Sequence, residues 1–162
     1  MANKEDTTNK RQKTVTLMMG GPASGKSTVH KERYPDALVI DCDTFKEGHP
    51  DYDPKNPAAL HVWSSLEATK AFHAALAGDD DFIFDGTGAN AEKYVTFIAA
   101  AQGAGWHTRI LYVACDLATA LERNAGRDRV VGEDVVREKY STIATSYEIV
   151  SRYVDEVVVV NG

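Results

Sequence analysis

The sequence lacks several features that would assign it to other classes of protein. Its 162 residues contain no apolar run near the ~20 residues that cross a bilayer, and its first residues lack the apolar segment of a signal peptide. The two cysteines, Cys42 and Cys115, predict reduced thiols rather than a disulfide framework. We therefore expect a cytoplasmic protein with no membrane partner.

The sequence also lacks an excess of positive charge, internal repeats and low-complexity tracts. Its 24 acidic side chains against 18 basic ones give a net charge of −6, so a nucleic-acid substrate would need a local basic patch. Residues 1–13 are polar and have no apolar periodicity, which predicts a flexible leader. The length suits one hydrophobic core, and we expect a single domain over residues 14–162.

Short apolar runs alternate with helical patterns along this domain. The runs begin near residues 15, 37, 82, 109 and 157, and the patterns between them are typical of helices. Strands joined by helices require crossover connections, which predicts a parallel sheet covered on both faces. The predicted architecture is a three-layer α/β fold with five parallel strands.

The region between the second and third predicted strands is less regular. Residues 44–57 contain three prolines and one glycine among acidic and aromatic residues, which predicts a long functional loop. Asn56 followed by Pro57 is typical of the start of a helix. That helix would bury a stripe through Leu60, Trp63 and Leu66 and end near Gly78.

A glycine-rich segment lies between the first predicted strand and the first predicted helix. Residues 20–28 read G-G-P-A-S-G-K-S-T and match G-x-x-x-x-G-K-S, the phosphate-binding loop or P-loop. In such a loop, main-chain N–H groups surround a polyphosphate, the lysine contacts the β- and γ-phosphates and the following serine holds Mg²⁺. The segment predicts a P-loop NTPase fold, for which we expect the strand order 2-3-1-4-5. It would bind ATP or another nucleoside triphosphate through Gly21, Pro22, Ala23, Ser24, Gly25, Lys26, Ser27 and Thr28.

Carboxylates follow two neighbouring strands of the predicted sheet. Asp43 comes just after the second strand, and Asp85 ends the third. Ligands bind at the carboxyl ends of parallel strands, so we expect Asp43 to be the general base of a phosphoryl transfer and Asp85 to contact substrate and Mg²⁺, the latter together with Ser27. Asp43 could instead cap a turn or helix, and a register error of one residue would exchange it with Asp41.

Other polar residues near these carboxylates are candidates for substrate contacts. Thr87 and Asn90 could bind substrate oxygens, or could serve as turn and cap residues. Lys46 could reach the acceptor or the γ-phosphate, or could be a solvated surface lysine. Their roles stay open at this point.

Three arginines lie in or next to a glycine-containing connection, which is predicted to be a small lid at about residues 125–132. A lid over the P-loop would supply positive charge to the phosphoryl group in transfer; a charged surface segment is the alternative. The arginines are Arg123 and Arg127, expected to contact the nucleotide, and Arg129, expected to contact the substrate.

Three stretches resemble the zeta-toxin and polynucleotide-kinase branch of P-loop kinases. D-C-D-T-F-K at 41–46, followed by H-P-x-Y at 49–52, is similar to the zeta-toxin segment that contains the catalytic aspartate, although Lys46 stands where an arginine is usual. F-D-G-T at 84–87 resembles the strand end that both families use around substrate and metal. E-R-N-A-G-R at 122–127 resembles the lid of bacteriophage polynucleotide kinase, whose phosphate-contacting arginine matches Arg127.

This resemblance implies an ATP- and Mg²⁺-dependent kinase with Asp43, Lys26 and Arg127 as its catalytic residues. The acceptor stays open: H-P-x-Y and the acidic balance favour a nucleotide sugar, whereas the lid helix favours a polynucleotide 5′-hydroxyl or a hydroxymethylated DNA base. A zeta-like protein would also have a small helical antitoxin as partner. The alternative from another class is a nucleotide-hydrolysing interaction protein that phosphorylates no substrate.

Overall fold

A five-stranded parallel sheet forms the centre of the computed structural model, which describes residues 12–56, 58–126 and 132–161. Its order is β2-β3-β1-β4-β5, which confirms the predicted order. The strands are β1 (Thr14–Met19), β2 (Leu38–Asp41), β3 (Phe82–Asp85), β4 (His107–Ala114) and β5 (Glu156–Asn161).

Helices connect these strands, as a parallel sheet requires. The described residues contain α1 (Lys26–Arg33), α2 (Cys42–Glu47), α3 (His61–Leu76), α4 (Ala91–Gly103), α5 (Leu117–Ala125) and α6 (Glu133–Val150). Side chains cap two of these helices: Asn90 Oδ1 accepts a hydrogen bond from Lys93 N, and Asp116 Oδ1 accepts one from Thr119 N. No helix in the described ranges has both the length and the apolar character needed to cross a bilayer.

The helices cover both faces of the sheet. On one face, the buried ring of Phe72 stacks on Phe97 with 4.0 Å between centroids and meets Phe82 and Phe84 edge-on. On the other face, Met18, Ile83, Leu111 and Val113 pack against partly buried apolar side chains that include Val29 of α1. The result is the predicted three-layer α/β arrangement.

Strand register places the site residues next to one another. Asp41, the last residue of β2, lies opposite Asp85, the last residue of β3. β3 in turn pairs with β1, whose carboxyl end leads into the P-loop. Because parallel strands end at the same edge, the P-loop and the two carboxylate-bearing strand ends are adjacent at this edge.

The predicted loop over residues 44–57 is wrong in its first part. Residues 44–47 belong to α2, because Asp41 caps this helix by accepting a hydrogen bond from Asp43 N at 2.9 Å and Gly48 ends it. A helix of six residues is too short to show apolar periodicity. The capping residue Asp41 was therefore the feature of the sequence that could have predicted this helix.

The start and buried face of α3 also differ from the prediction. The helix begins at His61 after Leu60, whose φ is 70°, and not after Asn56; Pro57 lies outside the described residues. Trp63 is 37% exposed and Leu66 is 58% exposed. The buried side chains are instead spaced by four, and two of them are small enough to let the helix approach its neighbours closely: Ser64, Ala68, Phe72 and Leu76.

Candidate functional site

A cavity of about 780 Å³ lies at the carboxyl edge of the sheet. Residues distant in sequence line it: P-loop residues 23–28, the three carboxylates of Asp41, Asp43 and Asp85, and the side chains of Thr87 and Arg123. This convergence is what the carboxyl ends of strands in an open α/β sheet produce.

The P-loop main chain turns tightly before α1 begins. Gly25, the N-cap of α1, has φ 95°, and Ala23 has φ 60°, a left-handed conformation that is uncommon for a residue with a side chain. Gly20 N donates a hydrogen bond to Thr87 O at 3.0 Å, which ties the loop to the segment after β3. A Cβ on Gly20 would lie 2.8 Å from Ser24 Oγ, so this turn has no room for a side chain.

Ser24 contributes an unsatisfied polar atom to the cavity. The residue is 1% exposed, and within the described residues its Oγ is the one buried side-chain oxygen or nitrogen without a hydrogen-bond partner. Leaving a buried hydroxyl unsatisfied costs about 1–3 kcal/mol. A phosphate oxygen bound in the loop would supply the missing acceptor, so the cradle fits a polyphosphate.

Asp41 and Asp43 share one structural unit at the end of β2. The hydrogen bond from Asp43 N to Asp41 Oδ1 places Asp43 in the first turn of α2, exposed and lining the cavity. Asp41 therefore acts as the helix cap, the role that the sequence had left as the alternative for Asp43. Both residues line the cavity, and Asp41 Oδ1 accepts a hydrogen bond from the main chain of α2.

The pKa values of Asp41 and Asp85 are raised, mainly by burial. Burial raises the pKa of Asp41 to about 6, and the negative charges of Asp85, Asp43 and Glu47 add to this effect, against the hydrogen bond from Asp43 N. Burial also raises the pKa of Asp85, which Lys26 and His30 partly offset. His30 Nε2 lies 3.5 Å from Asp85 Oδ2. The cavity thus concentrates negative charge that a cation would stabilise.

The donor groups in the cavity suit Mg²⁺. Ser27 and Asp85 both line it and offer oxygen ligands, which Mg²⁺ prefers. Within the described ranges, no three histidine, cysteine, aspartate or glutamate side chains come together as a metal site of their own.

Some predicted site residues do not line the cavity, and others lie outside the described residues. Lys46 is 8% exposed on α2 and does not line the cavity, and it is not a solvated surface lysine either. Asn90 is exposed and caps α4. Gly21 and Pro22 are not among the cavity-lining residues. The predicted lid residues Arg127 and Arg129 lie outside the described residues.

The cavity also contains residues to which the sequence analysis gave no role. Asn161 ends β5, and Glu32 lies on α1. The rule that pointed to Asp43 and Asp85, a polar residue at the carboxyl end of a strand, could have identified Asn161. No sequence signal indicated Glu32, because its position depends on how α1 leaves the P-loop.

Side chains from α5 and α6 contact the P-loop main chain. Arg123 Nη1 donates a hydrogen bond to Ala23 O at 3.3 Å, so this predicted nucleotide contact also binds the loop itself. Tyr140 Oη donates a hydrogen bond to Pro22 O at 2.9 Å. The sequence assigned Tyr140 no role.

Comparison with known families finds a match over nearly the whole chain. The model of the zeta-toxin family matches residues 1–161. Toxin zeta of Streptococcus pyogenes is 29% identical over 112 residues, which are 62% of this chain and 39% of that protein. A calmodulin calcium-dependent NAD kinase of Arabidopsis thaliana is 35% identical over 99 residues, which are 49% of this chain and 18% of that protein. The chain thus spans well under half the length of these curated relatives.

A solved structure with a similar fold comes from the PezAT chromosomal toxin-antitoxin system of Streptococcus pneumoniae. It superposes with a TM-score of 0.73 at 13% identity, over 98% of this chain and 73% of that chain. At 13% identity, this similarity shows a shared fold. Together with the family match it confirms the resemblance that residues 41–52 and 84–87 predicted.

Proposed function

The chain belongs to the zeta-toxin family, and on this basis we propose that it is a phosphotransferase, which moves the γ-phosphoryl group of ATP to a hydroxyl of a small nucleotide-like acceptor. The observation that most directly supports this proposal is that Asp43 shares one cavity with Lys26 and Ser27 of the P-loop. Such a cavity can hold the phosphoryl donor and the group that activates the acceptor side by side.

The donor side of the site would bind the triphosphate. The P-loop N–H groups and the positive end of α1 favour an anion. The Ser24 hydroxyl, which has no hydrogen-bond partner, can donate a hydrogen bond to a phosphate oxygen. Lys26 would balance charge on the β- and γ-phosphates. When bound, Mg²⁺ would be held by Ser27 and Asp85 and would offset the charge of these phosphates.

Asp43 would act as the general base on the acceptor side. Its carboxylate is exposed in the cavity, so an acceptor hydroxyl can donate a hydrogen bond to it. The proton passes to Asp43, the acceptor oxygen forms a bond to the γ-phosphorus, the bond to the bridging oxygen breaks and ADP leaves. Asp41 is the second candidate, but its Oδ1 already accepts the Asp43 N–H.

A small acceptor suits the charge of the site better than a polynucleotide. Glu32 and three aspartates line the cavity, and the chain has a net charge of −6; neither favours a polyanionic chain of phosphates. One curated relative is by name an NAD kinase, which supports a dinucleotide or a nucleotide sugar as the acceptor class. The fold shared with a toxin-antitoxin system supports an antitoxin as the protein partner.

A labelled-phosphate screen tests the proposal. The protein is incubated with γ-labelled ATP and nucleotide sugars, NAD, oligonucleotides with free 5′-hydroxyls or hydroxymethyl-pyrimidine DNA. We expect label in a small nucleotide, reduced about 100- to 10,000-fold by Asp43→Asn, the usual range for loss of a general base. The matched control is Asp80→Asn, which should retain activity. Asp80 is an exposed residue just before β3, at the edge of the sheet opposite the cavity.

Other outcomes of this screen would replace the proposal. Release of phosphate without any labelled acceptor, unaffected by Asp43→Asn, would indicate a nucleotide-hydrolysing interaction protein. Label in an oligonucleotide, with binding that weakens steeply as salt rises, would indicate a polynucleotide acceptor. Lys26→Ala should abolish ATP binding; unchanged affinity would remove the P-loop assignment.

A further inference from the structure

We propose that Tyr140 of α6 is a positioning residue that holds the P-loop in its phosphate-binding conformation. The inference rests on the proposed function, since it concerns how the same nucleotide site is kept in shape. Tyr140 is not among the residues that line the cavity, so it would act through the loop main chain and not on the nucleotide.

The ring of Tyr140 packs directly on the P-loop. A Cβ on Gly21 would lie 2.1 Å from Tyr140 Cε1 and 2.5 Å from both Cδ1 and Cζ. Real Cβ atoms do not approach other atoms this closely, so the ring occupies the space that a side chain at position 21 would need. Glycine at this position therefore serves the contact with α6 as well as the turn.

The hydroxyl of Tyr140 determines the orientation of one peptide plane. Oη donates to Pro22 O at 2.9 Å. The described chain has no cis peptide bond, and in a planar trans peptide the N–H points opposite to the C=O. With Pro22 O turned toward Tyr140, the Ala23 N–H points away from α6. Ala23 lines the cavity, so we infer that this N–H is available to a bound phosphate.

The loop needs such a contact because Ala23 adopts a left-handed conformation, φ 60°. Residues with a side chain seldom adopt this conformation unless the surrounding structure enforces it. Arg123 of α5 holds the next carbonyl, that of Ala23, at 3.3 Å. Two consecutive carbonyls are thus bound by side chains from α5 and α6, which precede and follow residues 127–131.

The pKa of Tyr140 is compatible with a hydroxyl that donates a hydrogen bond. Burial raises the pKa of Tyr140 above its ordinary value, and the neighbouring Cys115 raises it further, while Arg123 lowers it. An ordinary tyrosine, with a pKa of about 10, is already protonated at neutral pH, and the raised pKa of Tyr140 acts in the same direction, so its hydroxyl can donate to Pro22 O.

Removing only the hydroxyl tests the proposal. In Tyr140→Phe, we expect faster amide hydrogen exchange over residues 20–25, and ATP and ADP affinity about three- to tenfold weaker, the usual effect of one lost hydrogen bond. The kcat at saturating ATP should change less than about twofold, because a positioning role that saturating nucleotide restores appears in KM. Tyr153→Phe, the same change at a tyrosine that is 52% exposed, is the control and should match the wild type.

A double variant separates this role from general packing. Gly21→Ala should displace the Tyr140 ring and break its hydrogen bond, so it should weaken ATP binding by itself. Adding Tyr140→Phe to Gly21→Ala should then cost less than about a further twofold, because the two changes remove the same contact. Losses that multiply would show two independent effects and would overturn the inference.

The outcomes distinguish this inference from the proposed function. Unchanged amide exchange over residues 20–25 in Tyr140→Phe would overturn the role of Tyr140, whatever the enzyme does. A wild-type protein that binds no nucleotide would contradict the proposed function, while the exchange comparison would still decide whether Tyr140 holds the loop.

Discussion

Replacing Asp41 with asparagine is expected to stabilise the protein above pH 6 and to leave its stability below pH 4 nearly unchanged. The native structure holds this carboxyl beside Asp85 and Asp43, where burial and like charges disfavour ionisation. Asparagine keeps an Oδ1 that can accept the hydrogen bond from Asp43 N and cap α2. The substitution therefore removes the charge and retains the cap.

The size of the effect follows from the pKa of Asp41, which the native structure raises from 3.8 to about 6. The protonated form is favoured in the native state, so the wild type loses stability as pH rises through this interval. At about 1.36 kcal/mol for each pKa unit, the loss is at most about 3 kcal/mol. Asp41 is partly exposed, and solvent screening reduces the expected loss to about 1–1.5 kcal/mol.

Urea denaturation of both proteins at several pH values between 4 and 7.5 measures this difference. The free energy of unfolding of Asp41→Asn, minus that of the wild type, should rise by about 1–1.5 kcal/mol over the interval. Asp36→Asn, at an exposed position before β2, is the control and should give no such rise. A difference that stays constant with pH would refute the electrostatic reasoning, and a uniform loss of stability would show that asparagine cannot cap α2.

Two further predictions, with three substitutions, test the assigned roles of buried and capping residues. Phe72→Ala should destabilise the protein by about 3–5 kcal/mol, because it removes a ring from the stacked aromatic core. Leu66→Ala, on the exposed side of the same helix, should change stability by less than about 0.5 kcal/mol. Equal losses of stability in urea denaturation would contradict the orientation of α3. Asn90→Ala should cost about 1 kcal/mol of stability through the lost α4 cap while leaving the KM of the acceptor unchanged; a raised KM would restore Asn90 to the substrate site.

Prediction from sequence succeeded where the signal is local. The alternation of apolar runs and helical patterns was enough to predict a parallel sheet, and the P-loop motif at residues 20–28 indicated the fold and hence the strand order. The capping alternative for Asn90 was recognisable because a capping side chain bonds to main chain only three residues away. The family resemblance rested on contiguous stretches such as residues 41–52, and the family match confirmed it.

Prediction failed where several patterns compete. In α3, Trp63 and Leu66 are more apolar than Ser64 and Ala68, yet the smaller residues are buried because close approach matters more than hydrophobicity at a helix contact. Helix α2 depends on the cap at Asp41, in a region whose prolines and glycine indicated a loop.

The sequence by itself determined the alternation of strands and helices, the P-loop and the carboxylates at the ends of β2 and β3, since each of these depends on neighbouring residues or on chain-wide periodicity. Only the tertiary structure decided that Asp41 lines the cavity together with Asp43 and Asp85, that the pKa of Asp41 rises to about 6, and that Tyr140 contacts Pro22 from 118 residues away. Burial, mutual repulsion of charges and a hydrogen bond across that separation are properties of packed elements, and no local pattern in the chain encodes them.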